Sequence, residues 1–108
     1  MEQTRYEQIA VANEIIRQLG GNKFRVMTGA KDIFALENGV SFKLPGGGGF
    51  IKHGINYIKV WLDPSDTYTI EFWKYRKLHG QKIAEYRDIY NDQLQDVFTE
   101  ETGLQTHL

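Results

Sequence analysis

The feature that most constrains the fold lies at residues 55–77, where two aromatic-rich strand patterns flank the turn Asp63-Pro64-Ser65-Asp66. Large apolar side chains occur at successive positions, so each strand is apolar on both faces. A half-buried strand of an antiparallel sheet alternates instead, because only one of its faces lies on the core. The second face of this strand pair therefore needs a cover or a partner.

Cross-strand register separates the two faces, because a shift of one residue moves every side chain to the opposite side. Aligning Leu62 with Tyr68 gives one face that is apolar throughout and suits the core. Its further pairs are Val60 with Ile70 and Ile58 with Phe72. The pairs on the second face are Trp61 with Thr69, Lys59 with Glu71, Tyr57 with Trp73 and Ile55 with Tyr75. The opposite-charge pair indicates that this face meets water, and each such pair adds about 0.2–1 kcal/mol to the register.

A helix is predicted at each end of the chain. Residues 3–19 carry apolar side chains at helical spacing, with Thr4 as N-cap, Glu7 in capping-box register and the stop Gly20-Gly21. Residues 89–102 predict the second helix, which ends at Gly103. Its N-cap is predicted to be Asp88. Its predicted buried stripe consists of Tyr90, Leu94, Val97 and Phe98.

Strands are predicted at residues 23–28, 33–36, 40–44, 55–62, 68–77 and 82–86, with a turn at His79-Gly80. A three-residue loop at 37–39 pairs Leu36 with Val40 and Phe34 with Phe42. This loop is preferred to a two-residue turn because it puts apolar groups on one face and places Gly39 at a positive φ. The glycine run at 46–49 predicts a mobile loop or a site of close approach.

Together these elements predict a single α+β domain over residues 1–108. It consists of an N-terminal helix, a four- to five-stranded, mainly antiparallel sheet and a C-terminal helix. Both helices are expected to pack on one face of the sheet. That face is predicted to carry Val26, Phe42, Ile58, Val60, Ile70 and Phe72.

Composition excludes several classes of function. The chain contains no cysteine, which rules out disulfides and thiolate zinc sites. A net charge of −1 argues against a general nucleic-acid binder, and no apolar run is long enough for a membrane span. No nucleophile elbow, phosphate-binding loop or EF-hand occurs, so we expect no catalytic residue, no metal site and no cofactor.

The candidate ligand site combines aromatic and basic residues of the strand pair and its neighbour. Its residues are Tyr57, Trp61, Trp73 and Tyr75 for stacking, and Lys74, Arg76 and Lys82 for neutralising phosphate. Cations interleaved with aromatics are typical of surfaces that bind single-stranded nucleic acid. The alternatives are a face covered by a helix, an oligomer interface, and a lysine-protected edge strand that also includes Lys77 and His79.

A second candidate surface is acidic. Asp88, Asp92, Asp96 and Glu100 recur every four residues, which predicts one stripe on the C-terminal helix. Three interpretations stay open: a solvated face, an intramolecular match to the basic hairpin, and a site for a basic partner.

Several segments of the chain carry a resemblance to a known family. The early segments are Gly21-Asn22-Lys23-Phe24, Met27-Thr28-Gly29-Ala30-Lys31 and Ser41-Phe42-Lys43-Leu44-Pro45. The later ones are Ile55-Asn56-Tyr57-Ile58, Tyr68, Glu71-Phe72, Asp88-Ile89-Tyr90, Leu94, Asp96-Val97-Phe98 and Thr102-Gly103-Leu104. These segments resemble a family of small uncharacterised proteins from bacteriophages and prophages of gut bacteria, and the resemblance spans nearly the whole chain after the first helix. The chain departs from the family at Trp61, Trp73 and the glycine run.

That family carries no assigned activity, so the resemblance implies a context rather than a chemistry. It implies a non-catalytic accessory or counter-defence protein in the cytoplasm of a host bacterium. The leading hypothesis is a homo-oligomer that binds a nucleotide-like anion or a short nucleic acid through the aromatic and basic residues. The alternative is an inhibitor that binds a host defence protein through the acidic stripe. No membrane partner is expected.

Overall fold

The computed structural model describes residues 3–45 and 51–106, so the predicted loop at 46–49 lies outside the described residues. The helices are α1 (Arg5–Leu19), α2 (Gly21–Thr28) and α3 (Leu94–Thr102), with short 3₁₀ helices at Lys52–Gly54 and Asn91–Gln93. The strands are β1 (Lys31–Leu36), β2 (Gly39–Lys43), β3 (Tyr57–Leu62), β4 (Tyr68–Arg76) and β5 (His79–Ile89). The strands form one antiparallel sheet in the order β1-β2-β3-β4-β5. The predicted α+β class is confirmed.

All three helices contribute to one core on one face of the sheet. The buried helix residues are Ala12, Ile15, Leu19, Phe24, Leu94 and Phe98. The buried strand residues on the facing side include Val40, Phe42, Ile58, Val60, Ile70 and Phe72. The ring of Phe24 lies 5.3 Å from those of both Phe42 and Phe98, in edge-to-face geometry. This contact joins α2 and α3 to the centre of the sheet.

The first helix begins and ends where its sequence predicts. Thr4 and Glu7 form a reciprocal capping box, with both hydrogen bonds at 3.1 Å. Gly20 ends the helix with a φ of 129°. The side-chain amide of Gln3 donates to the side-chain oxygen of Asn38 and accepts from the backbone N–H of Asn38. These two hydrogen bonds connect the start of α1 to the β1–β2 turn.

The strand predicted at residues 23–28 is wrong, because these residues lie in α2. Phe24 and Thr28 are buried, while Val26 between them is 83% exposed. A spacing of four residues puts Phe24 and Thr28 on one side of a helix, and the Thr28 hydroxyl donates to the Phe24 carbonyl at 2.7 Å. Val26 therefore does not belong to the core face of the sheet.

The three-residue loop predicted at 37–39 is also wrong. Leu36 pairs with Gly39 and Phe34 with Ser41, so the loop contains only two residues. Asn38, not Gly39, takes the positive φ, at 57°. Gly39 is required for a different reason, since a Cβ there would lie 2.5 Å from the Val60 carbonyl oxygen.

The predicted register of β3 and β4 is confirmed in six cross-strand pairs, from Tyr57–Trp73 to Leu62–Tyr68. Only the pair of Ile55 with Tyr75 is wrong. Asn56 takes that place, because its side-chain amide donates to the Tyr75 carbonyl and accepts from the Tyr75 amide. The Asn56 side chain thus extends the strand pairing, and Ile55 turns into the core, where it is 1% exposed.

The end of the chain differs from prediction in three places. The β4–β5 turn lies at Lys77 and Leu78, so His79 and Gly80 belong to β5, which is longer than the predicted strand 82–86. The regular C-terminal helix begins at Leu94 and not near residue 89, because β5 continues to Ile89 and a 3₁₀ turn follows.

Two consequences concern single residues of this region. Asp88 lies in β5 with a φ of 56° and does not cap the helix. Tyr90 is 60% exposed and therefore is not part of the buried stripe, whereas Leu94 and Phe98 are fully buried. The predicted stop at Gly103 is confirmed, with a φ of 82°.

The role of the phenylalanine contact is tested by Phe98→Ala, with Val26→Ala as control. Removing the buried ring should lower the free energy of unfolding by about 3–5 kcal/mol. Val26→Ala should change it by less than about 0.5 kcal/mol, because the side chain is exposed. Urea denaturation followed by circular dichroism measures both. A large loss from Val26→Ala would contradict the placement of residues 21–28 in a helix with Val26 outward.

Candidate functional site: the open sheet face

The second face of the sheet carries no helix among the described residues, and we call it the open face. Its members follow from strand alternation and the observed register. They are Phe34, Leu36, Gly39, Ser41, Lys43, Tyr57, Lys59, Trp61, Thr69, Glu71, Trp73, Tyr75, Lys82, Glu85 and Arg87. The four aromatic residues predicted for the ligand site all lie here, together with a fifth, Phe34.

Three of the aromatic rings are in contact on the open face. The Tyr57 and Tyr75 ring centroids lie 5.2 Å apart in edge-to-face geometry. The Trp73 and Tyr75 rings lie 5.7 Å apart and are inclined by only 30°. Such contacts fix ring orientation without using all of the ring surface. Tyr57, Trp73 and Tyr75 are each only half-buried, so part of each ring remains accessible.

Two glycines, Gly39 of β2 and Gly80 of β5, make room for aromatic rings of the strands next to them. A Cβ at Gly39 would lie 2.7 Å from Cδ1 of Trp61, which is its cross-strand partner. A Cβ at Gly80 would lie 2.6 Å from the ring of Tyr75, again its partner. Each ring thus lies across a glycine and covers the glycine backbone.

The central charge pair of the open face does not form the ion pair that the sequence predicts. Lys59 and Glu71 are cross-strand neighbours as expected. The Lys59 ammonium lies 4.9 Å from the centre of the Trp73 ring and 5.9 Å from that of Tyr57. Glu71 instead accepts a hydrogen bond from Nε1 of Trp73 at 2.8 Å. The Lys59 ammonium therefore makes cation–π contacts with two aromatic rings instead of an ion pair with Glu71.

The cations of β5 on the open face are paired with carboxylates. Lys82 lies 2.7 Å from Glu85 and 3.8 Å from Glu71, and Arg87 also binds Glu85. The hydrogen bonds from Lys82 and then Arg87 lower the pKa of Glu85 to about 2. The charge of Lys82 is therefore already compensated within the protein, unlike the free phosphate-binding lysine that the sequence predicts.

The remaining cations of the predicted site lie on the other side of the sheet. Lys74 and Arg76 alternate with Trp73 and Tyr75 along β4, so they point to the helix side. The structure thus brings together Tyr57, Trp61, Trp73, Tyr75 and Lys82, but it separates them from Lys74 and Arg76. Proximity on the hairpin groups these residues in the sequence, whereas strand alternation places Lys74 and Arg76 on the opposite face.

Phe34 is the site residue that sequence reasoning missed. It is 58% exposed on the open face, next to Ser41. The three-residue loop placed it opposite Phe42 on the core side, and the change of one residue in loop length reverses its side. The available signal was Asn38, because asparagine tolerates a positive φ in a two-residue turn.

The predicted acidic stripe is wrong as a feature of one helix. Asp88 lies in β5 and Asp92 in a 3₁₀ helix, and only Asp96 and Glu100 belong to α3. The hypothesis of an inhibitor that acts through this stripe thereby loses its geometric basis. In residues 3–45 and 51–106 we find no group of three or more His, Asp or Glu side chains that could hold a metal ion.

No protein-family model, curated protein or solved structure matches the chain. No helix in the described part is long and apolar enough to cross a membrane. The fold and the site define an α+β protein whose five-stranded antiparallel sheet is covered by helices on one face and carries five aromatic side chains on the other.

The charge network of β5 is tested by the titration of Glu85. Its depressed pKa means that the contact stabilises the folded protein above about pH 4.5 and is lost as the pH falls towards 2. Lys82→Gln should raise the pKa of Glu85 towards its usual value, measured by NMR of the side-chain carboxyl carbon. Lys77→Gln removes the same charge outside the network and should leave the pKa near 2. A pKa of Glu85 near the usual glutamate value of 4.5 in the unmodified protein would contradict the network.

Proposed function

We propose that this protein is a non-catalytic binding protein that takes a nucleotide-like ligand or a short single-stranded nucleic acid on its open face. The observation that carries the proposal is the set of five aromatic side chains on a sheet face free of described helices. Their arrangement on neighbouring strands offers successive bases several rings within reach.

Stacking is the interaction that this surface favours. Every base presents a π face, and each base stacked on an aromatic side chain contributes about 1–3 kcal/mol. Trp61 lies across Gly39 and Tyr75 across Gly80, so these rings are supported from below and lose little freedom on binding. The Lys59 ammonium adds a positive charge above the Tyr57 and Trp73 rings, where a phosphate or carbonyl oxygen of a ligand can approach it.

The polar groups of the open face lead us to expect that it accepts ligands of different base sequence. Lys82, Arg87 and the carboxylates of Glu71 and Glu85 satisfy one another, and the Trp73 indole N–H is held by Glu71. These groups are therefore not free to read base edges, so the proposed ligand is recognised mainly by its aromatic faces.

The resemblance to small phage and prophage proteins supplies the proposed context. A protein of this kind would act in the bacterial host as an accessory or counter-defence factor that sequesters a nucleotide or short nucleic acid. Stacking holds a ligand by its aromatic faces, which suits retention of the ligand rather than its conversion.

The proposal is tested with a fluorescently labelled, unstructured oligonucleotide and Phe34→Ala. Phe34 is exposed on the open face and lies outside the core, so its removal should weaken binding by about fivefold or more, measured by anisotropy. The matched control is Tyr6→Ala, because Tyr6 is an aromatic residue of α1 that is 84% exposed and lies away from this face. Its affinity should stay within twofold of the unmodified protein.

Three results would contradict the proposal. The first is no binding by the unmodified protein across oligonucleotides and a panel of cyclic and linear nucleotides. The second is equal weakening by both substitutions. The third is a stable homo-oligomer, detected by native mass spectrometry, that dissociates in Phe34→Ala, since a second copy would then occupy the face instead of a ligand.

A further inference from the structure

A separate cleft lies at the end of the β4–β5 hairpin, on the helix side of the sheet. It has a volume of about 220 Å³. Its lining residues are Lys74, Arg76, His79, Gly80 and Gln81. Two cross-strand pairs build it, Lys74 with Gln81 and Arg76 with His79, so four side chains that can donate hydrogen bonds converge from two adjacent strands.

The charge of this cleft is uncompensated, in contrast to the open face. Among residues 3–45 and 51–106, no carboxylate lines the cleft, and Lys74, Arg76 and His79 make no ion pair. Natural hairpin ends often carry lysine for solubility alone. Here the basic groups line a half-open concave space between the two strands.

The chain around the 3₁₀ helix Lys52–Gly54 positions one of these groups. Gly54 has a φ of 71°, and a Cβ on it would lie 3.1 Å from Cε of Lys74. The glycine therefore allows this segment to pack directly on the stem of Lys74. The segment is itself anchored, because the Lys52 ammonium donates to the carbonyl of Glu100 in α3 at 2.9 Å. Lys74 is half-buried beside this segment, and it also lines the cleft.

We propose that this cleft is a binding site for a phosphoryl anion, separate from the open face. A planar guanidinium can donate two parallel hydrogen bonds to two oxygens of a phosphate, and an ammonium adds a second positive charge. Charge-assisted bonds of this kind are stronger than neutral ones. The volume is below the roughly 300–1,000 Å³ of pockets that enclose whole drug-sized ligands. The site therefore takes the phosphoryl group and leaves the rest of any ligand outside.

The proposal is independent of the open face, since the two surfaces share only the backbone of the hairpin. Gly80 contributes to both: the Tyr75 ring covers it on the open face, and it lines the cleft on the other. The phosphoryl group could belong to inorganic phosphates or to the terminus of a nucleic acid, and the chemistry of the cleft is the same for both.

The test compares Arg76→Gln with Lys77→Gln. Each removes one positive charge within the same hairpin end, but only Arg76 lines the cleft. Pyrophosphate is titrated in phosphate-free buffer at low salt, and the dissociation constant is read from the amide NMR signals of His79, Gly80 and Gln81. Arg76→Gln should weaken binding by about tenfold, whereas Lys77→Gln should change it by less than twofold.

A second arm identifies the source of the phosphoryl group, with one oligonucleotide prepared with and without a terminal phosphate. Tighter binding of the phosphorylated form, lost in Arg76→Gln, supports the site with a nucleic-acid terminus as its ligand. Equal binding of both forms, together with pyrophosphate binding that depends on Arg76, supports the site with a free phosphate anion as its ligand. Absence of pyrophosphate binding, or equal loss in Arg76→Gln and Lys77→Gln, overturns the proposal.

Discussion

Packing among three phenylalanine rings determines which side of the sheet is covered. Phe24 of α2 contacts Phe42 of β2 and Phe98 of α3 with ring centroids 5.3 Å apart. Because α1 contributes Ile15 and Leu19 to the same core, every described helix lies on that side. The opposite face is left to its own side chains, and it meets water with aromatic rings that touch one another instead of a second layer.

Local contacts order the aromatic side chains of this exposed face. Trp61 and Tyr75 lie across glycines of the adjacent strands, Lys59 lies above two rings, and Glu71 holds the indole of Trp73. Such contacts orient the rings, and Glu71 satisfies the indole N–H of Trp73, while part of the ring surface stays accessible. The same face therefore combines order with exposure, which is what a stacking surface requires because little entropy is lost on binding.

The parts of the fold that were predictable from sequence are those fixed by several agreeing signals. The β3–β4 register rests on apolar pairs, on Lys59–Glu71 and on the turn between the strands, and it is correct from Tyr57–Trp73 to Leu62–Tyr68. Errors arose where one short pattern fits two periodicities. Phe24 and Thr28 fit a strand and a helix equally, and only contact with Phe42 and Phe98, distant in sequence, favours the helix.

The candidate site was predictable to the extent that register determines side-chain direction. The four predicted aromatic residues share a face because the β3–β4 pairing was right. Phe34 was missed because its loop was one residue too long. The cations were misplaced because Lys74 and Arg76 alternate with Trp73 and Tyr75, and the ion pairs of Lys82 depend on the register of β5, which contains two irregularities that sequence does not reveal.

The proposed function places a ligand on the open face, and the two tryptophans would report directly on binding there. Both tryptophans of the chain lie on this face. In a titration of ¹⁵N-labelled protein with a short unstructured oligonucleotide, the indole N–H signals of Trp61 and Trp73 should both shift and saturate at the same concentration. Amide signals of α1 should stay in place. Unchanged indole signals, with the shifts concentrated in α1 or α3 at saturating oligonucleotide, would contradict the account.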